Sequence, residues 1–386
     1  MCMHQPPAKS SDCQAKADTE KVEKAVHPRS EYEEPATVTS KAIGVLYILS
    51  LFIAALAMGY FVLVPTALVI ALWSPVQAQK VYRILLGLFC AYASGVFEYL
   101  NGMDVVVTGE AGETFQFNES DRVLLISNHR TEIDWMLHWN FATKIQCHDR
   151  IMTMMKAVLK QVPVFGGVLR ILGFPFVERN WTEDEATLGK LVASYHDRPY
   201  GAWLAMFPEG TALFDKTLAS SQAFEAANDR PICQFVLEPR LKGFELCVAK
   251  FQPDYILDVT MAFPELRDGV RPSPLRLLRG QFPKAVHFYA RRFTRDDIMA
   301  AESPAQWLQD RFADKEELLS SFYSAEKGTF ADKQVAALPD AKWTFYKSLA
   351  VVVAFTALFS YVLWSWQYSW MYLAIVLGTL VATSRA

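Results

Sequence analysis

The 386-residue sequence predicts an α/β domain, a mixed sheet flanked by helices, anchored by N-terminal and C-terminal transmembrane or re-entrant helices. Two strongly apolar runs predict the anchors, because residues 42–73 and 349–382 contain no charged side chain. Each run exceeds the roughly 20 residues that cross a hydrocarbon core of ~30 Å. Between the runs, short β-type segments alternate with helical patterns, which is typical of an α/β domain. A wholly water-soluble protein is therefore excluded.

The first 41 residues are predicted to be a disordered cytosolic tail. They carry six Lys or Arg, seven Asp or Glu and four prolines, so they bury too little apolar area to offset the entropy of ordering. The first apolar run begins only at Ala42 and is too long for the apolar part of a signal peptide. We therefore expect that run to remain in the mature protein.

Residues 42–100 are expected to form the N-terminal membrane helices. Pro65 leaves two arrangements open: Ala42–Val64 crosses the membrane alone, or the run bends at the proline into a shallow hairpin. A second run, Ile84–Phe97, has only 14 uncharged residues. That length is short for a crossing and favours an interfacial or re-entrant helix.

Residues 349–386 are predicted to form the C-terminal membrane segment. Five Trp and Tyr residues lie between positions 364 and 372, near its middle, and such residues favour the membrane–water interface. Two arrangements are compatible with this pattern. Either two short helices turn at the interface near Gln367, or one long helix crosses with a tilt.

Basic residues flank the part of the chain between the two anchors, with Lys80 and Arg83 on one side and Lys342 and Lys347 on the other. By the positive-inside rule, residues 75–348 face the cytosol. A net charge of −3 without a basic stripe argues against nucleic acid as a partner. The six scattered cysteines form no C-x-x-C pair, so neither a disulfide framework nor a zinc site is expected.

Residues 101–330 are predicted to form the central domain, and residues 331–348 a linker to the last membrane segment. For the last helix of the domain, Ser303 supplies the N-cap and Pro304 the first helical residue. The predicted strands are Val105–Gly109, Val123–Ser127, Ala202–Phe207, Phe235–Leu237, Leu257–Phe263 and Val286–Phe293. The predicted helices are Thr131–Thr143, Thr182–His196, Leu218–Ala227 and Pro304–Ala325.

A candidate general base follows the apolar run Val123–Ile126. His129 is expected on a strand-to-helix turn, and Asp134, three residues after Thr131, in the first helical turn. The positive end of the helix favours Asp134 as a carboxylate. From there it could accept the ring N–H of His129 and make the opposite ring nitrogen a better proton acceptor. A helix cap with an incidental histidine is the alternative interpretation.

Two further polar segments also follow apolar runs. The segment Phe207–Thr211 ends a predicted strand, and its Gly and Thr can present N–H groups and a hydroxyl to an anion, although an ordinary β-turn has the same composition. Arg179 follows a strand-like run, and Lys156 and Lys160 add two cations upstream. Arginine is a natural partner for phosphate, whereas a lone arginine is more often a surface residue.

Taken together and in this order, these segments resemble the glycerolipid (lysophospholipid) acyltransferases. Asn128-His129-x4-Asp134 is similar to the catalytic first motif of that family. Arg179 takes the position of the phosphate-binding arginine of the second motif, and Phe207–Thr211 matches the third motif. The resemblance covers roughly residues 75–330.

Two more segments extend the likeness. Val259–Pro264 takes the place of the fourth motif of the family. Leu237–Phe244 resembles the Pro-Arg-x-x-Gly-Phe string of the branch that contains lysocardiolipin acyltransferase and the later-numbered 1-acylglycerol-3-phosphate acyltransferases.

The resemblance implies a membrane-anchored acyltransferase that esterifies the free hydroxyl of a lysophospholipid with a fatty acyl group from acyl-CoA. Its acceptor is expected to be 1-acyl-sn-glycerol-3-phosphate, acylated at sn-2 to phosphatidic acid. Lysocardiolipin and lysophosphatidylinositol are alternative acceptors. A non-catalytic lipid-binding membrane protein is the alternative of another class. The expected location is the endoplasmic reticulum, with mitochondria-associated membrane as the alternative.

The resemblance also implies the roles of individual residues. His129 is expected to be the catalytic base, oriented by Asp134. Substrate binding is assigned to Arg179 and Lys156 at the acceptor phosphate and to four neighbours of the motifs: Arg130, Glu209, Gly210 and Thr211. No metal or cofactor is expected, since acyl-CoA is a co-substrate. The sequence has no G-x-S-x-G elbow, so an acyl-serine intermediate is not expected.

Overall fold

The computed structural model describes residues 11–28, 35–113, 115–162, 164–178, 180–330, 333–336 and 338–385. Its helices of eight or more residues are α1 (Ser11–Val26), α2 (Val38–Trp73), α3 (Pro75–Leu100), α4 (Asp134–Lys144), α5 (Phe165–Leu172), α6 (Trp181–Ser194), α7 (Asp215–Ala227), α8 (Leu241–Lys250), α9 (Pro304–Ser324), α10 (Lys342–Ser365) and α11 (Ser369–Arg385). The strands of the main sheet are β1 (Asp104–Gly109), β2 (Val123–Ser127), β3 (Ile151–Thr153), β4 (Trp203–Met206), β5 (Tyr255–Ala262), β6 (Ala285–Thr294) and β7 (Gln334–Val335).

The sheet is mixed and has the strand order β3-β4-β2-β5-β6-β1-β7. The four strands from β3 to β5 are parallel, whereas β5 and β6 are antiparallel. Helix α9 packs against β5, and α4 packs against β1 and β3, which confirms the predicted α/β sheet flanked by helices. All of β2 is buried, as its uninterrupted apolar run requires. Ile126 lies opposite Met206, so β2 and β4 end at the same edge of the sheet.

The predicted strand Phe235–Leu237 is wrong. This segment is buried but forms no strand, because its amides have another acceptor. The backbone N–H groups of Phe235 and Val236 donate to Oε2 of Glu316, at 2.8 and 3.1 Å. A single carboxylate on α9 therefore satisfies the amides that a neighbouring strand would otherwise bind.

A helix lies in the segment that is predicted to be a disordered tail. The end of α1 packs against α9, with Ala25 and Val26 buried and Val22 partly buried against the core. These three apolar residues share one helical face, and the low average hydrophobicity of the first 41 residues conceals that face. The structure therefore differs here from the expectation based on composition.

Pro65 does not bend the first membrane segment into a hairpin. Helix α2 continues through it to Trp73, with π-helical turns at Gly59–Leu63 and Thr66–Ile70. These wider turns on either side accommodate the ring and the missing N–H of the proline. The chain instead reverses at Ser74, whose side chain caps α3 by accepting the N–H of Gln77.

Helix α3 extends well beyond the predicted run Ile84–Phe97 at both ends and lies against the central domain. Near its start, Nε of Arg83 donates to Oδ2 of Asp149 at 2.6 Å, and near its end Lys144 donates to Glu98. Two-thirds of the most apolar 18-residue stretch of α3 is buried within the protein. Helices α2, α3 and α10 are each long and apolar enough to cross a membrane.

The C-terminal segment is a pair of helices and not one long helix. Helix α10 ends at Ser365 and α11 begins at Ser369, so the chain turns where the aromatic residues cluster around Gln367. This turn confirms the first of the two predicted arrangements. Helix α11 then packs against α5 of the central domain.

Candidate active site

His129 and Asp134 form a hydrogen-bonded pair in the turn between β2 and α4. Nδ1 of His129 lies 3.0 Å from Oδ2 of Asp134, and because a carboxylate only accepts, Nδ1 is the donor. The same oxygen accepts the backbone N–H groups of Arg130 and Thr131, at 2.6 and 2.9 Å. Oδ1 accepts the hydroxyl of Thr131 at 2.5 Å. Asp134 is fully buried at the positive end of α4, and these four donors satisfy its side-chain oxygens.

The pairing fixes the tautomer of His129. With the proton on Nδ1, Nε2 carries the lone pair, and within the described part of the chain it has no hydrogen-bond partner. The side chain of His129 is 13% exposed and borders a cavity, so this nitrogen is available to a ligand. The histidine is therefore neither an incidental cap nor sealed in packing.

Phe207 is stacked between two histidine rings. Its ring centre lies 4.2 Å from that of His129 on one face and 4.8 Å from that of His138 on the other. His138 is fully buried, and burial lowers its pKa to about 3, so its imidazole stays neutral. The stack thus fixes the plane of the His129 ring without placing a competing charge behind it.

Glu209, which is assigned to acceptor binding from the sequence, also supports the turn that carries His129. Its Oε1 accepts the backbone N–H of His129 at 2.9 Å, and its side chain is buried. Burial raises the pKa of this carboxyl well above its usual value, although the His129 N–H and the nearby Arg130 oppose the shift. Glu209 therefore positions the catalytic turn through the backbone.

Asn128 ties the same turn to the sheet. Its Oδ1 accepts the N–H of Met261 at 2.7 Å, and its Nδ2 donates to the carbonyl of Met261 at 2.9 Å. These two bonds join the end of β2 to β5 after the regular ladder has ended. The position of His129 is thereby set by the sheet as well as by α4.

Arg130 does not reach the cavity, in contrast to its predicted role in substrate binding. Its guanidinium is buried and donates to the carbonyls of Phe235 at 2.9 Å and of Ala25 at 2.5 Å. It also lies over the ring of Tyr323, 5.6 Å from the ring centre. Arg130 therefore joins the catalytic turn to α1 and to the segment after α7.

The cavity beside His129, here called the main cavity, has a volume of about 400 Å³. Its lining is largely apolar and includes Met154, Met155, Val177, Trp181, Leu188 and Met206. Lys156 and Gly210, both assigned to substrate binding, line it, whereas Asp134 lies behind His129 and outside it. Arg179 falls outside the described residues.

Two cations that the sequence interpretation did not assign also line the main cavity. They are Arg240 and Lys242, at the start of α8. Both also line an adjoining second cavity of about 580 Å³, which includes Glu209 and Thr211. The Pro-Arg-x-x-Gly-Phe string was the available signal, but it gave no indication that its arginine faces the third motif.

The arrangement can perform proton transfer at an amphiphilic ligand. The His129 side chain borders a cavity with apolar walls and cationic residues, and a general base must lie within such reach of the group that it deprotonates. Within the described ranges, no group of three or more His, Cys, Asp or Glu residues is placed to hold a metal ion.

Comparison with known proteins shows the family to which the chain belongs. The family model Acyltransferase matches residues 107–232, and the model Acyltransferase C-terminus matches residues 276–351. A probable 1-acyl-sn-glycerol-3-phosphate acyltransferase 5 from Arabidopsis thaliana is 33% identical over 322 residues, 83% of this chain and 83% of that protein. Lysocardiolipin acyltransferase 1 from Danio rerio is 30% identical over 285 residues, 72% of this chain and 71% of that protein.

A solved structure is also similar. The 1-acyl-sn-glycerophosphate acyltransferase PlsC from Thermotoga maritima shares 18% identity at a TM-score of 0.42, over 72% of this chain and 97% of that one. The family models and the sequence relatives suffice for the assignment. The chain belongs to the acyltransferase family that includes the 1-acyl-sn-glycerol-3-phosphate and lysocardiolipin acyltransferases.

Proposed function

We propose that this protein transfers a fatty acyl group from acyl-CoA to the free hydroxyl of a lysophospholipid, with 1-acyl-sn-glycerol-3-phosphate as acceptor and phosphatidic acid as product. The observation that carries the proposal is the His129–Asp134 pair: Nε2 of His129 has no partner among the described residues, and His129 borders an apolar cavity that cations also line. The relatives named as 1-acyl-sn-glycerol-3-phosphate acyltransferases support this choice of acceptor.

In the proposed reaction, Nε2 of His129 takes the hydroxyl proton as the acceptor oxygen attacks the thioester carbonyl. The tetrahedral intermediate then collapses, the carbon–sulfur bond breaks, and the imidazolium returns the proton to the departing thiolate to give free CoA. Asp134 keeps the ring oriented and stabilises the imidazolium. Both substrates react in one ternary complex, so positioning supplies much of the rate.

The apolar helices fit amphiphilic substrates. Each methylene that leaves the bilayer costs about 0.8 kcal/mol, so an anchored enzyme that meets acyl chains in lipid avoids a large penalty. We propose that the catalytic domain lies at the cytosolic face of the endoplasmic reticulum. There Arg179 and Lys156 are assigned to the acceptor phosphate.

A second acceptor is lysocardiolipin. It is favoured by relatives named lysocardiolipin acyltransferase, which are as similar to this chain as several of the 1-acyl-sn-glycerol-3-phosphate acyltransferases. The chemistry at His129 is the same for either acceptor, so the two candidates differ only in the head group that is bound.

The test is a matrix of lysolipids and acyl-CoA species applied to purified wild-type protein and to two variants. We expect His129→Ala to lower turnover by about 10²- to 10⁴-fold, which is the usual contribution of a general base. Asp134→Asn keeps the shape of the side chain but weakens its charge-assisted bonds, so a loss of about 10²-fold is expected.

The matched control is His196→Ala, an exposed histidine that contacts Arg122 and lies outside the main cavity. It should keep the wild-type rate. Wild-type turnover by His129→Ala would show that His129 is not the general base. If the wild-type protein transferred no acyl group to any lysolipid, the proposed function would be wrong.

A further inference from the structure

We propose that Arg240 and Lys242 bind a phosphate group of one of the two substrates, an inference that rests on the proposed acyl transfer. Both residues are exposed and lie at the start of α8. They line the main cavity together with His129 and also line the second cavity. A substrate that extends from His129 into the second cavity would therefore lie beside them.

The third motif is shaped to receive Arg240. The backbone N–H of Arg240 donates to the carbonyl of Pro208 at 2.8 Å, which fixes the start of α8 beside the third motif, Phe207–Thr211. A Cβ atom on Gly210 would lie 3.0 Å from Nε of Arg240 and 3.1 Å from Cδ. Gly210 also has a φ of +70°, so glycine meets both a conformational and a steric requirement here. The arginine side chain is thus held across the loop that follows β4.

The positive charge of this pair is not neutralised by a carboxylate of the described chain. Neither Arg240 nor Lys242 takes part in an ion pair there, and Lys242 lies over the ring of Trp181 at 5.8 Å. Arg230, which lines the second cavity too, is by contrast paired with Glu238. In the main cavity, Oδ1 of Asp184 accepts the N–H of Glu178 at 2.7 Å, and Asp184 forms no ion pair with either cation among the described residues. The pair therefore favours an anion.

Phosphate is the anion that the reaction brings to this place. The guanidinium of Arg240 can bind two phosphate oxygens, and the ammonium of Lys242 adds a second charge. The acceptor carries one phosphate on its glycerol, and CoA carries a diphosphate and a 3′-phosphate. Because the shared chemistry is a phosphate group, the experiment separates the two sources by measuring each substrate on its own.

The test uses Arg240→Gln and Lys242→Gln in the full-length protein, with Lys250→Gln at the other end of α8 as the matched control. We expect Arg240→Gln to raise the KM of one substrate by about 10- to 100-fold, the loss typical of a charge-assisted hydrogen bond, while kcat changes less. Lys242→Gln should raise the same KM by a smaller factor. The substrate affected identifies the source of the phosphate.

Arg240→Lys should recover part of the lost affinity, because it restores the charge without the fork. A fall in kcat with both KM values unchanged would overturn the inference, since Arg240 would then act only by shaping the loop. Equal effects from Lys250→Gln would overturn it as well.

Direct binding separates this inference from the proposed function. Calorimetric titration with CoA and with a short-chain lysophosphatidate needs no turnover. Binding of either ligand that is lost in Arg240→Gln supports the phosphate site even if wild-type protein transfers no acyl group. If the protein transfers acyl groups but Arg240→Gln binds both ligands as tightly as wild type, the proposed function stands and the phosphate site is wrong.

Discussion

At the scale of single residues, Phe207 sets the plane of the His129 imidazole, the proposed general base. Its ring is nearly parallel to that of His129, with an interplanar angle of 19°. Phe207→Leu keeps an apolar side chain but removes the flat face, so His129 gains rotational freedom. Because aromatic stacking contributes about 0.5–1.5 kcal/mol, we expect kcat to fall by up to about 10-fold with little change in either KM.

The control for this prediction is Phe207→Tyr, which keeps the ring and should keep most of the rate. Steady-state kinetics and thermal unfolding are measured together. A loss in kcat that is matched by a large fall in Tm would show that Phe207 supports folding and not the orientation of His129.

The raised pKa of Glu209 predicts that the stability of the protein depends on pH. Burial raises the pKa of its carboxyl in the folded state, so the folded protein disfavours the charged form. Protonated Glu209 contributes fully to the free energy of unfolding below ~4.3, the pKa of the carboxyl in the unfolded state. That contribution is lost as pH rises from there to the raised pKa of the folded state. Glu209→Gln keeps an oxygen for the His129 N–H but cannot ionise. We therefore expect the Tm of this variant, relative to wild type, to increase with pH across that window.

The readout is the pH trend of the Tm difference, not its absolute value. Glu209→Ala, which removes the acceptor for the His129 N–H, should have a lower Tm than Glu209→Gln throughout. A Tm difference between Glu209→Gln and wild type that stays constant from pH 4 to the raised value would contradict the prediction.

The contacts of some site residues can be predicted from the sequence and those of others cannot, because some contacts are local and others join distant parts of the chain. His129 and Asp134 lie in one turn, so their contact follows from local geometry and the helix dipole. The partners of Arg130 are 105 residues away in both directions, and the bond between Glu209 and His129 spans 80 residues. No local pattern distinguishes a buried, carbonyl-bound arginine from one that binds a substrate.

At the scale of the elements, α1 is tied to the catalytic turn. The carbonyl of Ala25 accepts from Arg130, whose own backbone N–H donates to Asp134. Removal of residues 1–28 would leave the buried guanidinium without this acceptor, at a cost of about 1.5–3 kcal/mol. We expect this truncation to lower the Tm by several degrees and to reduce kcat, which differential scanning calorimetry and the acyl-transfer assay would measure.

The matched control is Lys24→Ala on the same helix. Lys24 forms an exposed i,i+4 pair with Glu20, and such pairs contribute little. It should leave both Tm and kcat unchanged. A truncated protein with wild-type stability and rate would mean that α1 is not coupled to the catalytic turn.

The elements that differ from prediction share one cause. Phe235–Leu237 has the composition of a strand, but a strand also needs a partner, and here Glu316 supplies the acceptor. Pro65 is a helix breaker by propensity, yet π-helical turns accommodate it inside a helix that packs against α10. In both cases tertiary contacts, which a single sequence does not reveal, override the local preference.

At the scale of the whole molecule, the apolar helices form a layer against the catalytic domain. Gln79 lies near the start of α3, and its backbone carbonyl accepts the hydroxyl of Tyr200 at 3.1 Å, while Glu98 near the other end pairs with Lys144. We therefore expect α3 to lie along the domain and not to cross the bilayer, and the turn at Ser74 between α2 and α3 to be on the same side of the membrane as the domain.

The same reasoning applies to the first and last described helices. Helix α1 is bonded to Arg130 in the domain, and the end of α11 lies against α5, where a Cβ on Gly167 would meet the carbonyl of Leu380 at 2.1 Å. Tags on either terminus and a cysteine introduced as Ser74→Cys should thus share the side of the catalytic domain. In sealed microsomes we expect all three to be open to an external protease or an impermeant maleimide.

A glycosylation acceptor sequence inserted at Ser74 gives the complementary measurement, because sugar is added only on the lumenal side. The expected result is no glycan at that turn, since Arg83 and Gln79 hold the start of α3 on the domain. A loss of the Arg83 ion pairs in Arg83→Gln should make this arrangement less stable without reversing it. Glycosylation at Ser74 in otherwise active protein would mean that α2 crosses the bilayer, and the expected position of this turn on the side of the domain would be wrong.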